Sequence, residues 1–235
     1  MIEKFLEKVY YYDFLAVVLP GLIFISFMLS ISFPFSFIQK FTGLQATILV
    51  IGGTFFFGLI LQAVSSWLQK PLYFLWGGMP SRKILSTPNK FVSDAHIALL
   101  AKSLTEKFDL KVPTSDQLFV DEELSHTLVR RCQALCLNKN VGRSEEFNAK
   151  YAMTRNLFGC CFVFGLCWIV SFILLKRGLV TLSNPGDWVG FYTIGIITLV
   201  GIVTFFFRAK SRGYYWCREV LEQGEELIRQ ESSSK

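Results

Sequence analysis

The sequence predicts an all-α, polytopic membrane protein with four transmembrane helices and a helical cytoplasmic insertion between spans two and three. Three observations carry this. Hydrophobic residues make up 52% of the 235 positions, with 24 Phe, against 18% charged, a balance too apolar for one ordinary soluble domain. The charges leave four windows of about 20 residues or more with none, the length that crosses the hydrocarbon core at 1.5 Å per residue. Finally, more than half of the 24 Lys and Arg fall between Lys70 and Arg155, and others follow Phe207, as the positive-inside rule requires of cytoplasmic segments.

The first window runs from Phe14 to Ile38. Pro20-Gly21 lies about two turns in, where proline removes a helix hydrogen bond and bends the chain, so this span is expected to be kinked. The segment before it, MIEKFLEKVYYYDF, is charged and has no small-residue cleavage site after its apolar run, so it does not read as a cleavable signal peptide. Phe41 to Gln69 forms the second window, and only Lys40 and a few polar neighbours separate the two, which makes residues 1–69 a helical hairpin. Gly52, Gly53 and Gly58 place small residues on part of the second helix, where a neighbouring backbone could approach closely. Their spacing is not a strict GxxxG, and ordinary intramembrane glycine is the simpler reading.

Residues 70–155 read as a cytoplasmic helical region too small to be a robust domain alone. Pro71, Gly77-Gly78 and Met79-Pro80 make its start irregular, and an amphipathic helix is expected over about Ser93 to Phe108. Thr114 to Gln117 fits a capping box for a second helix reaching about Leu137, with Leu124, Leu128, Cys132 and Leu135 as its apolar stripe. Asn138 to Gly142 breaks it. Ser144 is then the expected cap of a third helix that continues without a breaker into span three.

Span three covers Asn156 to Leu175 and span four Trp188 to Phe207, joined by KRGLVTLSNPGD, so residues 156–207 form a second hairpin. Residues 208–235 read as a juxtamembrane helix weakened by Gly213 and Gly224. Lys70, Arg82, Lys83, Arg143, Lys150, Arg155, Arg208, Lys210 and Arg212 then share one side against Lys40, Lys176 and Arg177, which places both termini in the cytoplasm.

Chemistry is poorly represented. His126, Cys132 and Cys136 lack the fourth ligand and the CxxC-type spacing of structural zinc, so the cysteines read as small apolar residues. Cys160, Cys161 and Cys167 lie in a span and read as packing residues, with acylation of Cys160, Cys161 or Cys217 as the remaining use. Asp121, Glu122, Glu123, Glu145 and Glu146 complete no dyad or triad, and no phosphate loop or nucleophile elbow appears. The expectation is therefore no catalytic residue, no cofactor and no metal. All four spans lack ionisable groups, which argues against secondary transport. Membrane lipids are the expected partners of the basic segments, direct nucleic-acid binding is not expected, and homo-oligomerisation through small-residue faces is. Arg130 and Arg131 are the candidate contacts for a soluble partner, because they sit together on a helix whose other face is apolar.

The opening VYYYDFLAVVLPGLIF, with Tyr12-Asp13-Phe14 ahead of an apolar run containing Pro20-Gly21, resembles that of small bacterial inner-membrane proteins, several of them from antiphage defence loci. The four-span layout with a cytoplasmic middle is similar to the membrane subunit of Kiwa-type defence systems. The resemblance implies a bacterial inner-membrane sensor working with a cytoplasmic effector that binds nucleic acid, and carries over no catalytic residue. Two functions follow as expectations: a non-enzymatic sensor or scaffold that recruits a cytoplasmic partner, or an oligomeric pore-forming effector or channel.

Overall fold

The computed structural model describes residues 11–30, 43–85, 102, 107–108, 122–139, 142–179 and 185–233. Regular structure among them is entirely helical. A π-helical turn at Phe14–Val18 leads into α1 (Leu19–Ser30). There follow α2 (Leu44–Trp67), α3 (Gln69–Trp76), α4 (Pro80–Leu85), α5 (Glu122–Asn138), α6 (Gly142–Lys176) and α7 (Pro185–Ser233). Three segments, Thr47–Trp67, Arg143–Lys176 and Trp188–Glu231, are helical, long and apolar enough to cross a membrane; Tyr11–Ser26 is a shorter apolar helix. The last part of the first expected span (31–38), the capping box at Thr114 and most of the expected helix over 93–108 lie outside the described residues.

The chain divides into two compact units, Asp13–Leu68 with Ala152–Ala209, and Met1–Tyr12 with Gln69–Tyr151 and Lys210–Lys235. In the first, the π-turn has a local cause. Pro20 has no N–H to give the carbonyl of Ala16 four residues back, and its ring would clash with that carbonyl in a regular α-helix. The extra residue of the π-turn relieves the clash, with Leu19 N–H bonding Phe14 O instead. The orphaned Ala16 carbonyl is buried, so it needs a donor, and the side-chain amide of Asn156 on α6 supplies one at 2.5 Å.

The π-turn and α1 approach α2 backbone to backbone. A Cβ added to Gly58 would stand 2.3 Å from the carbonyl oxygen of Val17, and one on Gly21 2.0 Å from that of Thr54. Phe24 of α1 stacks on Phe164 of α6 with ring centroids 4.9 Å apart, closing a small core with Leu61 and Cys160. Helices α6 and α7 are joined by the indole N–H of Trp168, which donates to the carbonyl of Phe191 at 2.9 Å. Away from these contacts the unit displays large apolar side chains, among them Ile51, Phe56, Ile196 and Leu199. Apolar inside and outside together is the signature of a surface solvated by hydrocarbon.

Helix ends follow the glycines. After α6, Gly178 takes φ +68°, and Gly178 N–H and Leu179 N–H bond Leu175 O and Leu174 O, satisfying carbonyls that the helix end leaves open. The same motif ends α3 in the second unit, where Gly77 sits at φ +81°, and Gly77 N–H and Gly78 N–H bond Phe74 O and Tyr73 O. The start of the insertion is thus two short helices about a glycine stop rather than irregular chain. Pro71 falls in the first turn of α3 and Pro80 opens α4, positions where a missing N–H costs nothing.

The second unit has its own core: Ile84 and Leu85 of α4, Leu128, Val129 and Cys132 of α5, and Tyr214, Cys217, Val220, Leu221 and Ile228 of α7. Two local expectations change here. The segment after span four is not a separate, weakened helix but the continuation of α7, 49 residues without a break. Gly224 faces Cys132, where a Cβ would come within 2.9 Å of its Cβ and Sγ, and Gly213 faces Tyr151 and Pro80. Close packing at both offsets the propensity cost of about 1 kcal/mol per glycine. Ser144, expected as a cap, is the third residue of α6 and is buried, where it hydrogen-bonds Cys136.

Candidate functional site

Helix α5 builds the candidate partner-binding face. Leu128, Val129, Cys132 and Cys136 are buried on one side, with Leu124 and Leu135 packed at the edge of the same core. That pattern fixes the helix's rotation and turns His126, Arg130, Arg131, Ala134 and Leu137 outward. Arg130 and Arg131 are both exposed, yet the structure separates their roles. The guanidinium of Arg131 donates to the carbonyl of Phe108 at 2.7 Å and lies 5.6 Å from the centre of its ring, so it is committed to holding Phe108 against the helix. Arg130 forms no hydrogen bond or ion pair with another described residue. His126 lies one turn before it on the same face, with its pKa held below the usual value by partial burial and by the Arg130 charge.

Three other cations of this unit are matched by α7. Glu231 accepts from Lys107 at 2.6 Å and pairs with Lys139 at 3.3 Å, and Glu219 pairs with Arg143 at 3.0 Å. The hydrogen bonds from Lys107 and Lys139 hold the Glu231 carboxyl below the usual carboxylate range. On the outward face of α5, Arg130 is the cation that no hydrogen bond or ion pair among the described residues engages.

The three candidate packing glycines part company. Gly58 meets Val17 and Gly53 meets Ile25 at 3.2 Å, both within the chain, whereas a side chain on Gly52 would meet nothing within 4 Å. Gly58 is spent on the α1–α2 crossing, because only a missing Cβ permits that backbone approach. Gly52 alone of the three lies on an open face, beside exposed Ile48, Ile51, Phe55 and Phe56.

Cys132 and Cys136 are buried and His126 is exposed, so these three do not converge, and among the described residues no three His, Cys, Asp or Glu side chains gather as metal ligands. Burial pushes the Cys132 thiol up to about 12 and raises those of Cys136 and Cys217. An apolar concavity of about 270 Å³ lies between α6 and α7 and is lined by Gly165, Trp168, Ile169, Gly195 and Leu199, side chains suited to hydrocarbon rather than to polar chemistry.

Sequence reasoning missed Asn156 and Phe108. For Asn156 a signal existed: a proline in an apolar helix orphans the carbonyl four residues back, and an amide at the start of another apolar run is the natural donor. For Phe108 none did, because a pairing across 23 residues of chain is decided by the tertiary fold. No protein-family model matches the chain, and neither does a curated protein or a solved structure.

Proposed function

We propose that this chain is a four-span protein of the bacterial inner membrane, with both termini and the α5 unit in the cytoplasm, acting as a non-enzymatic sensor or scaffold that recruits a soluble partner. The observation that carries it is Arg130: an exposed, unengaged cation on a helix anchored by its opposite face in a closed core. Such a side chain costs the fold nothing to keep and offers an acidic partner both steering and register. The resemblance of the Tyr12-Asp13-Phe14 opening to defence-associated membrane proteins supports placing that recruitment in antiphage defence. Homo-oligomerisation belongs to the same reading, through the open face around Gly52.

Arg130→Glu tests the reading. Membrane level and thermal stability should hold, because the side chain is exposed and forms no hydrogen bond or ion pair with another described residue, while co-purification of the cytoplasmic partner and protective function fall together. Liposomes carrying the wild-type protein should stay sealed. The competing function, an oligomeric pore, requires the reverse: leakage without any second protein, and activity that survives Arg130→Glu. Topology is tested separately by an impermeant thiol reagent on a cysteine-free background, with position 138 protected in intact cells and positions 40 and 176 labelled.

A further inference from the structure

Helix α3 presents two opposite faces that its neighbours do not explain equally. Leu72 and Trp76 are 2% and 3% exposed, and the hydroxyl of Tyr73 lies 3.3 Å from that of Tyr151 while also receiving the amide of Gln69. These contacts fix the rotation of the helix. On the other face, one turn apart, stand Lys70 and Pro71, then Phe74 and Leu75, the last two 85% and 66% exposed. A soluble unit seldom leaves adjacent Phe and Leu this open.

Chain length says what lies opposite them. A single residue, Leu68, separates α2 from α3, and α2 ends at the exposed Trp67, an indole of the kind that sits at headgroup level. Seven residues of mostly helical chain carry Phe74 at most roughly 12 Å from Trp67. The headgroup layer is itself about 5–8 Å deep on each side. Helix α3 thus cannot leave the membrane surface by more than the reach of its own side chains.

We infer that α3 is an interfacial anchor: Phe74 and Leu75 enter the headgroup–acyl boundary of the leaflet from which α2 emerges, and Lys70 on the same face meets lipid phosphate. The partner is a phospholipid surface, and the inference rests on α2 being a membrane span. It gives the cytoplasmic unit an attachment to the bilayer additional to its covalent connections.

Photocrosslinking in native-lipid nanodiscs tests it, with p-benzoylphenylalanine replacing Phe74, Phe56 or Arg130 one at a time and adducts read by intact mass. All three sites are exposed, so folding is preserved. Phospholipid adducts are expected at 56, in the exposed face of α2, and at 74, with at least a tenfold lower yield at 130. An adduct at 56 but none at 74 overturns the anchor while leaving the span intact, as does a yield at 130 equal to that at 74. Doubling of the chain mass at 74 also overturns it, by making this face a contact between copies. Absence of lipid adduct at 56 removes the span reading itself and the anchor with it.

Discussion

The side-chain amide of Asn156 donates to the backbone carbonyl of Ala16, the acceptor that Pro20 leaves without a helical partner. Cause and remedy lie 136 positions apart in the sequence but meet in one buried hydrogen bond. Asn156→Leu, nearly isosteric, should cost about 1–3 kcal/mol by stranding that carbonyl. Pro20→Ala restores an N–H at the place where the helix needs it, so Pro20→Ala with Asn156→Leu should recover most of the loss in thermal unfolding. A double variant as unstable as Asn156→Leu alone would show that the two residues act independently.

Gly224 poses a contest between propensity and packing. At an exposed helix position Gly→Ala gains up to about 1 kcal/mol, but here the new methyl meets Cys132 at 2.9 Å, an overpacking that costs about 1–3 kcal/mol. The expected net effect of Gly224→Ala is destabilisation. Chemical denaturation should show it, and adding Cys132→Ala should relieve it by clearing the same space.

The buried thiols give an alkaline limit to stability. A thiol whose pKa is raised on folding keeps its proton in the folded state while the unfolded chain ionises, so stability is full below the unfolded value and falls as pH rises. For Cys132 the window opens near pH 8.5, the ordinary thiol range, and extends to about 12. Melting temperatures should decline across pH 8.5–10, and the decline should be shallower in Cys132→Ala. At pH 7.5 a chain retaining only Cys132 should resist a thiol reagent until denaturant is added.

Arg131 and Arg130 should separate in experiment although they are neighbours. Loss of the Phe108 contact by Arg131→Ala should cost about 1 kcal/mol and speed amide exchange at 107–108. Arg130→Ala should stay within about 0.5 kcal/mol of wild type. Equal stability losses in the two would remove the basis for assigning partner contact to Arg130 alone.

Among the glycines, Gly58→Leu should disrupt the α1–α2 crossing and lower membrane accumulation, since its side chain would collide with Val17. Gly52→Leu should leave accumulation unchanged and reduce native mass in mild detergent, because any close approach at that face involves another copy. An unaltered oligomer in Gly52→Leu would turn the search for an assembly face elsewhere.

Composition and the charge-free windows determined that the described chain is helical with long apolar helices, because the need to satisfy every backbone hydrogen bond in hydrocarbon leaves few alternatives and shows in local sequence. Helix stops at Gly77 and Gly178 were local too, being set by glycine's freedom at positive φ. A local disturbance of the helix at Pro20 was legible, and takes the form of the π-turn at Phe14–Val18, but the donor on α6 was not assigned, since a hydrogen bond between remote segments has no local trace. The same holds for the division of labour between Arg130 and Arg131, identical in sequence and adjacent, and for Gly52 and Gly58, identical and six residues apart. Which of each pair is used up inside the chain depends on the neighbour that folding brings to it, Phe108 for one and Val17 for the other. Residue type and periodicity fixed which face of α5 is apolar; only the packed structure decided which charge on the remaining face stays free.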